Sequence, residues 1–522
     1  QGNQSTTVKA EELTQGKAFN VASALTGKVA GLQVNAVSSG VNPSIRLVLR
    51  GNRSLLGNNQ ALVVLDNVIV PSDVLGNLNP EDIENIEVLN GAGAAALYGS
   101  DASNGALIIQ TKKGKRGSTS INVSHTTNVE QVSFLPKLQN RFGSGTGNDD
   151  VPSYTPFENQ QYGPAFDGVV RPIGKPLADG SIQSVPYAYN EDENKDAFWE
   201  TGYSNQTDFN LSSGDDKSTY YFSGQYFDQK STIPGDKYNR FSMRINGERN
   251  LGNNVTFGFN LSYVQNRYDQ SSATAAVFDN VLQSPGQIPL TRYKDYKNDP
   301  FASPDGYYNE YYQNPYFALG NNRSITRNDY LTGNAQIKWN PIKDLSLLVR
   351  ANLSNRAFSN KSTTNKYTYS EYRLGITSNF SNIVGSVSDY SGYNVQINPE
   401  FQAQYIKRLS NDFSLNVIAG ATIRQNTYKR IDVGTNGGLA LDDFFNVSNG
   451  LQNPSASESN FKARQIGVYA DARLGFKDYL YLHVTGRNDW RSVLSPENRS
   501  FFYPAADLSF IASDAIPFLK IS

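Results

Sequence analysis

The chain has 522 residues with 38% apolar and only 18% charged side chains; 47 Lys and Arg nearly cancel 48 Asp and Glu, so no net field points to nucleic acid. It contains no cysteine and two histidines, His125 and His483, which excludes disulfide frameworks, cysteine-based metal centres and thiol nucleophiles. A mean hydropathy of −0.50 argues against transmembrane helices but leaves open a transmembrane β-barrel, whose strands need an apolar residue only at every second position.

The start, Gln1-Gly2-Asn3-Gln4, has neither the basic region nor the apolar stretch of a signal peptide. Up to about residue 117 the pattern is mixed α/β. Val21, Leu25, Val29 and Leu32 fall at helical spacing, which predicts a helix over 21–32. Short β-rich runs follow at Ile45–Arg50 and Ala61–Val70. Asn79-Pro80-Glu81-Asp82 reads as a helix start, with a capping Asn, Pro in the first turn and acids at the positive end of the dipole. A strand over Ala106–Thr111 and the basic run Lys112–Lys115 close this unit, assigned to residues 1–117.

From Ser118 the period changes to two. Val255, Phe257, Phe259, Leu261 and Tyr263 share one face while Thr256, Gly258, Asn260 and Ser262 share the other. The same alternation recurs along Phe413–Ile423 and Ile466–Gly475. It predicts strands near 118–129, 204–213, 218–228, 237–249, 254–268, 328–340, 344–358, 392–408, 412–430, 461–476, 478–490 and 501–513. Their connections alternate between very short (Gly214–Lys217, Asn250–Asn253, Pro341–Lys343, Leu409–Asn411, Lys477) and long or variable. Tight turns on one rim and extended loops on the other are the grammar of a membrane β-barrel, and a soluble sandwich has no reason to keep it.

The expected fold class is therefore membrane all-β: an antiparallel transmembrane barrel over 118–522 with the α/β unit as a plug in its lumen. A unit of about 115 residues has a radius of gyration of roughly 13 Å. About 22 strands are needed to enclose a plugged lumen, so about twelve imply a chain that stops short of the whole barrel.

The residues that carry a family resemblance are Ala24–Val34 (ALTGKVAGLQV), Leu49–Leu55 (LRGNRSL), Leu78–Leu89 (LNPEDIENIEVL), Ala94–Ser100 with Asn104–Ile109, and Thr111–Gly114. Downstream come Gly486–Trp490 (GRNDW) and Asn498–Pro504 (NRSFFYP). On these blocks the chain resembles the SusC-like (RagA-like) TonB-dependent outer-membrane transporters of Bacteroidetes. It departs from the pattern at Asn90–Gly93, where a charged pair is usual, at Asp101, where Arg is common, and at Asn67, where Gly is typical.

The resemblance implies nutrient import of a glycan, oligosaccharide or peptide across the outer membrane, with a SusD-like surface lipoprotein as lid and TonB–ExbB–ExbD supplying energy. It also implies a carboxypeptidase-regulatory-like domain and a TonB box upstream of the segment in hand. The protein would be an integral multi-pass barrel in outer-membrane lipid, not an enzyme. The competing readings are a surface glycan-binding or adhesion β-protein without transport, and a secreted polysaccharide-degrading enzyme, which would need a convergent carboxylate pair.

Candidate binding residues follow from loop position and side-chain chemistry. Arg50, Arg53, Asn58 and Asn59 lie on a plug loop that the family places toward substrate; they suit sugar hydroxyls or peptide carbonyls, or else pair with acids of the wall. Tyr98 offers a stacking face or a packing contact. Tyr307, Tyr308, Tyr311 and Tyr312 sit in the densest aromatic segment, Asp305–Phe317, which suits substrate, the lid lipoprotein, or loop packing. Strand aromatics such as Tyr220, Phe222, Tyr226, Phe257, Tyr263, Tyr479 and Tyr481 are expected at the lipid or its interfaces. No cofactor is expected. The acidic run Asn190–Asp196 has oxygens that suit Ca²⁺ but lacks the spacing and Gly of an EF-hand, so it reads as a solvated loop. Gly143–Gly147 lacks the Lys-Ser/Thr of a phosphate loop. His125 and His483 carry no catalytic assignment, and Asp471 and Arg473 are expected to face the lumen.

Overall fold

A computed structural model describes residues 5–515 except 17, 19, 37–40, 42–44, 53, 56–58, 90, 92–93, 95–97, 149–150 and 478. The first part forms a five-stranded sheet and a two-stranded one. Strands β1 (Ser5–Lys9), β2 (Leu32–Ala36), β3 (Ile45–Leu49), β4 (Leu62–Leu65), β5 (Val68–Val70), β6 (Ile83–Leu89) and β7 (Ala106–Thr111) arrange as β1-β6-β7-β4-β5 and β2-β3. Among the described residues of this unit only the β4–β7 pair is parallel. Between them sits a core that includes Leu13, Val21, Leu25, Leu47, Leu75, Ile83, Ile86, Leu107 and Ile109, all at most 1% exposed.

Two helical expectations shorten here. The helix at Val21 is capped by Asn20, whose Oδ1 accepts from Ser23 N at 2.8 Å, but it ends at Leu25. Gly27 and Gly31, both at φ +76°, turn the chain so that Leu32 opens β2 instead of closing a helix. Asn79 does cap, accepting from Glu81 N at 3.0 Å, yet the segment makes a single 3-10 turn, Pro80–Asp82, before β6. Ile83, Ile86 and Val88, brought to one face by a bulge between Ile83 and Asn85, bury one side of a strand paired on both sides, and that pairing outweighs the helix-start signal. The Ala61–Val70 run is a hairpin: Asp66 and Asn67, at φ +46° and +70°, make the two-residue turn that otherwise favours Gly.

The rest is one twelve-stranded antiparallel meander. Its members are β8 (Ser120–Glu130), β13 (Gly202–Gly214), β14 (Ser218–Lys230), β15 (Lys237–Asn250), β16 (Val255–Ser271), β17 (Asn322–Ile342), β18 (Leu345–Thr364), β19 (Ser386–Arg408), β20 (Phe413–Leu439), β21 (Gly450–Phe476), β22 (Leu480–Arg491) and β23 (Ser500–Phe510). Each pairs with its sequence neighbours, and β8 and β23 form the two edges of the sheet, so among the described residues it is not closed. All twelve predicted strands are present, several longer than the alternation suggested. β21 begins at Gly450, and the stretch 450–460 has almost no buried side chain; beyond the apolar band a strand needs only its backbone partners.

The long connections carry β9 (Gly145–Asn148) paired with β10 (Val151–Tyr154), β11 (Val170–Ile173) paired with β12 (Gln183–Pro186), and helices over Thr274–Gln283, Pro315–Asn321 and Glu371–Ile376. Residues from the first two loops fuse into one apolar cluster that includes Ile173, Val185, Phe198, Val281, Leu290, Tyr293, Tyr307, Tyr308 and Tyr316. These loops are therefore a folded module on the long-loop rim. Among the described residues no helix is long and apolar enough to cross a membrane.

Candidate functional site

The two faces of the sheet have opposite chemistry. Outward rows are apolar: Leu211, Phe222, Ile245 and Leu261 lie opposite one another, as do Ile337, Val349, Phe401, Ala421 and Val468. The inward row Asp208, Gln225, Ser242, Val264, Tyr330, Arg356, Asn394 and Tyr428 is mostly polar. Tyr220 and Tyr226, exposed at 46% and 54%, are on the outward face.

The N-terminal unit packs on the inward face. Val264 and Tyr330 of the wall enter its apolar core. Around them the contacts are polar. Asn79 Nδ2 donates to Asp208 Oδ1 at 2.8 Å, and the Tyr221 hydroxyl donates to Asp82 Oδ1 at 3.0 Å. Tyr238 and Asn266 donate to Asn77 Oδ1, and Asn246 Nδ2 donates to Lys112 O at 2.7 Å. The charges are sorted by body: plug carboxylates Asp66, Asp73 and Asp101 meet wall guanidinium groups Arg244, Arg356 and Arg424 with Arg491.

Each of these pairs is tied down further. Asp66 accepts from Thr111 N and Oγ1 at 2.9 and 2.8 Å as well as from Arg244 at 3.1 Å. Asp73 accepts from Tyr330 at 3.0 Å and pairs with Arg356 at 2.9 Å. Asp101 is gripped by Arg424 and Arg491 from different strands, and Arg424 also donates to Gln465 Oε1 at 2.7 Å. Burial alone would raise the Asp101 carboxyl, but the two guanidinium groups outweigh it and hold it below the usual carboxylate range. Burial dominates at Asp82, which is pushed up despite Arg244. Gly99, at φ +80°, lets the plug backbone come close to Asp489 and Arg487 of the wall: a Cβ there would lie 2.4 Å from Asp489 Oδ2.

Among the cavities between plug and wall, two adjoin Tyr98 or Asp101 of the plug. One, of about 620 Å³, is lined by Gln60, Ser72 and Asn104 of the plug and by Asn394, Gln396, Asn426 and Phe461 of the wall. Asn394 Oδ1 and Asn426 Oδ1 accept no hydrogen bond among the described residues. Next to it on the same inward face stand three rings. Phe358 stacks on Tyr428 at 6.1 Å and 24°, Tyr390 meets Phe358 edge-on at 6.2 Å, and the Arg430 guanidinium lies 3.9 Å over Tyr390. Arg430 is neutralised by Asp432, and Arg356 by Asp73. The surface so made is flat, aromatic and amide-rich, and the cavity beside it is also lined by Asp101 with Arg424, Arg464 and Arg491. Its rings and amides suit the faces and hydroxyls of a polar solute.

The other cavity, of about 470 Å³, lies nearer the short-turn rim, between Asn67, Ile69 and Tyr98 of the plug and Arg350, Glu400, Tyr469, Asp471, Arg473 and His483 of the wall. Burial, with Glu400 nearby, pushes the Tyr98 hydroxyl up to about 12. Tyr98 thus faces a lumen cavity. Asp471 and Arg473 line the same cavity, but Asp471 pairs with His483, whose ring spans Asp471 at 2.5 Å and Asp507 at 2.7 Å.

The loop candidates divide. Arg53 and Asn58 lie outside the described residues. Arg50 is exposed with φ +59°. Asn59 is buried and closes its own loop, accepting from Ser54 N at 2.8 Å and donating to Ser54 O at 2.6 Å. Tyr307 and Tyr308 are 1% and 2% exposed and pack on Tyr293, so in this structure they are the core of the loop module, not a contact surface. Tyr311 is 47% exposed, and the Tyr312 hydroxyl donates to Gln283 at 2.7 Å. In the acidic loop Glu193 is held by Arg292 at 2.9 and 2.7 Å; among the described residues no group of three His, Asp or Glu side chains is placed to hold a metal.

Phe358, Tyr390 and Tyr428 were not singled out from the sequence, although a signal exists. Each ring interrupts an otherwise polar face, Phe358 between Arg356 and Asn360, Tyr428 between Asn426 and Arg430.

Residues 1–106 match the TonB-dependent receptor plug domain. The chain is 25% identical over 517 residues to the TonB-dependent receptor P26 of Formosa agariphila, covering 95% of this chain and 47% of that protein. It is 28% identical over 438 residues to the TonB-dependent receptor SusC of Bacteroides thetaiotaomicron, covering 78% and 40%. The chain thus spans about half the length or less of these curated relatives. Its fold is similar to that of the RagAB peptide importer, with a TM-score of 0.76 at 20% identity over 100% of this chain and 58% of the other.

Proposed function

We infer, from a chain that is a SusC-like TonB-dependent receptor, that it serves energy-dependent import of a nutrient across the bacterial outer membrane. The observation that carries this reading is the seating of a folded plug on the polar face of a sheet whose opposite face is apolar. An adhesin has no need to fill its own lumen, and apart from the apolar contacts of Val264, Tyr330, Phe227 and Tyr238 the wall meets the plug through hydrogen bonds and ion pairs that can be exchanged for water one at a time. A dry apolar seam of the same size would oppose displacement more strongly.

The solute we favour is an oligosaccharide. Phe358, Tyr390 and Tyr428 offer faces for sugar rings, and Asn394, Gln396 and Asn426 offer amides for hydroxyls. A peptide is the second reading, favoured by the likeness to a peptide importer. A SusD-like lipoprotein over the loop module and TonB–ExbB–ExbD acting on the plug complete the proposal. The test is uptake by cells carrying the full-length gene or its deletion, with and without TonB. Loss of growth on a defined glycan in both the deletion and the TonB-deficient strain supports it; unchanged growth on every glycan and peptide offered overturns it.

A further inference from the structure

The outward face holds a feature that import does not use. On β17 to β20, at the height of Ser359 and Tyr393, a groove of about 670 Å³ opens away from the lumen. Its floor is made of small side chains, Ala357, Ser359 and Ser391. Arg327 and Asp329 form one bank, and Tyr393, Lys429 and Ile431 the other. Ser359 and Ser391 are direct cross-strand partners, so their hydroxyls lie side by side on the floor.

Its height follows from strand geometry. Ser359 lies about 14 residues past Leu345, the short-turn end of β18. At about 3.3 Å per residue and a tilt of about 40° this is roughly 35 Å above that rim. The outward residues below the groove (Leu347, Val349 and Leu353 on β18, Ile397 and Phe401 on β19) are apolar, and such a band is about 25 Å tall in outer-membrane barrels. Just above it the outward residues turn polar at Asn355 and Thr427. The groove therefore opens at the headgroup level of the outer leaflet, one largely polar row above the apolar band.

The charge there is unbalanced. Arg327 is paired with Asp329 at 2.9 Å, and Lys429 with Glu458 at 3.4 Å. Arg267 and Lys462, both exposed, have no ion-pair partner among the described residues. Arg267 is also the direct cross-strand partner of Arg327. Like charges placed opposite each other destabilise an antiparallel pair unless an anion lies between them. Two uncompensated cations thus flank a groove floored by hydroxyl groups.

We propose that this groove binds the phosphorylated headgroup of a glycolipid of the outer leaflet, with Arg267, Arg327, Lys429 and Lys462 facing the phosphate groups and the acyl chains lying on the apolar band below. The proposal rests on the outer-membrane placement of the barrel and is independent of what the lumen carries. A lipid is favoured over free phosphate because the apolar band lies below the groove, where only a ligand with chains can reach it.

The experiment uses full-length protein in detergent, incubated with bisphosphorylated lipid A or its dephosphorylated form and read by native mass spectrometry. The phosphorylated lipid is expected to be retained, and Arg267→Gln with Lys462→Gln to lower its bound fraction at least fivefold. Ala357→Leu with Ser359→Leu, which fills the groove and keeps every charge, is expected to do the same while the heat-modifiable mobility of the folded barrel is kept. Equal retention of the dephosphorylated lipid, or unchanged retention in both variants, overturns the proposal. Full competition by inorganic phosphate at millimolar concentration also overturns it, by making the site one for the free anion. Solute uptake is expected to be unchanged in both variants, which separates this test from that of import.

Discussion

Asp101 of the plug and Arg424 of β20 are partners across the lumen, and Arg491 of β22 grips the other oxygen of the same carboxylate. The acid of the plug and the two cations of the wall form a matched set across the seam. Breaking a part-buried pair leaves charge without compensation, which costs about 3 kcal/mol when burial is complete and less here, with Asp101 at 32% exposure.

Asp101→Arg is therefore expected to loosen the plug, seen as faster proteolytic clipping of residues 94–111 in the folded barrel. Adding Arg424→Asp is expected to recover at least half of the protection. Clipping of the single variant at the rate of the unaltered protein would show that the pair does not hold the plug.

Asp236, in the connection between β14 and β15, is fully buried. Its Oδ1 accepts from Ser271 N at 2.9 Å and Arg323 at 3.0 Å, while Oδ2 accepts no bond among the described residues. Burial raises its carboxyl to about 6. Because this lies above the unfolded value of about 3.9, the folded state holds the proton more tightly. The corresponding stability is present at pH 4 and is lost as pH rises through 6. Asp236→Asn is expected to stabilise the fold by about 2 kcal/mol at pH 8, read as a higher thermal midpoint, and to change little at pH 4. A variant less stable at pH 8 than at pH 4, relative to the unaltered protein, would refute this.

Removing the lumen rings should affect uptake without affecting assembly. Phe358→Ala with Tyr428→Ala is expected to reduce uptake of the cognate oligosaccharide at least tenfold at equal barrel levels, because ring contacts of this type contribute about 1 kcal/mol each. Unchanged uptake would remove these rings from the solute path.

Tyr307→Ala is expected to act differently. It empties a site 1% exposed at the centre of the loop module and should cost about 3 kcal/mol, read as protease sensitivity of residues 272–321. Tyr311→Ala, at an exposed site, should leave that sensitivity unchanged. Equal effects of the two would mean that Tyr307 is not a core residue of the loops.

In the Asp66-Asn67 turn the two positions should separate. Asn67→Gly is expected to be neutral or stabilising by about 0.5 kcal/mol, since φ is +70° there. Asp66→Gly removes the acceptor of Thr111 and Arg244 and should destabilise the plug despite the relaxed backbone. Urea denaturation monitored in the plug distinguishes them.

The barrel was legible because a wall between lipid and water writes period two into every strand, as in Phe257, Phe259 and Leu261 against Gly258 and Asn260. What the alternation could not report was the part of a strand outside the bilayer, such as 450–460, where neither face need be apolar. The plug was legible by its blocks, but its short helices were over-read, because Gly27, Gly31 and the pairing of β6 decide where they stop. The candidate site was the least legible. Composition drew attention to the tyrosine-rich loop, whose Tyr307 and Tyr308 are buried by contacts with Tyr293 and the first loop that no local pattern encodes. Phe358, Tyr390 and Tyr428 come together only through the register of β18, β19 and β20.

The most direct measurement of plug-gated import uses the absence of cysteine in this chain. Asn79→Cys and Asp208→Cys, placed where the native side chains touch at 2.8 Å, can be joined by a short bis-thiol reagent in the full-length protein in cells. If the plug must leave the polar wall for the solute to pass, uptake stops when the link forms and returns when a cleavable link is reduced. Uptake that continues at the unlinked rate with the link quantitatively in place would mean that the lumen is not the route.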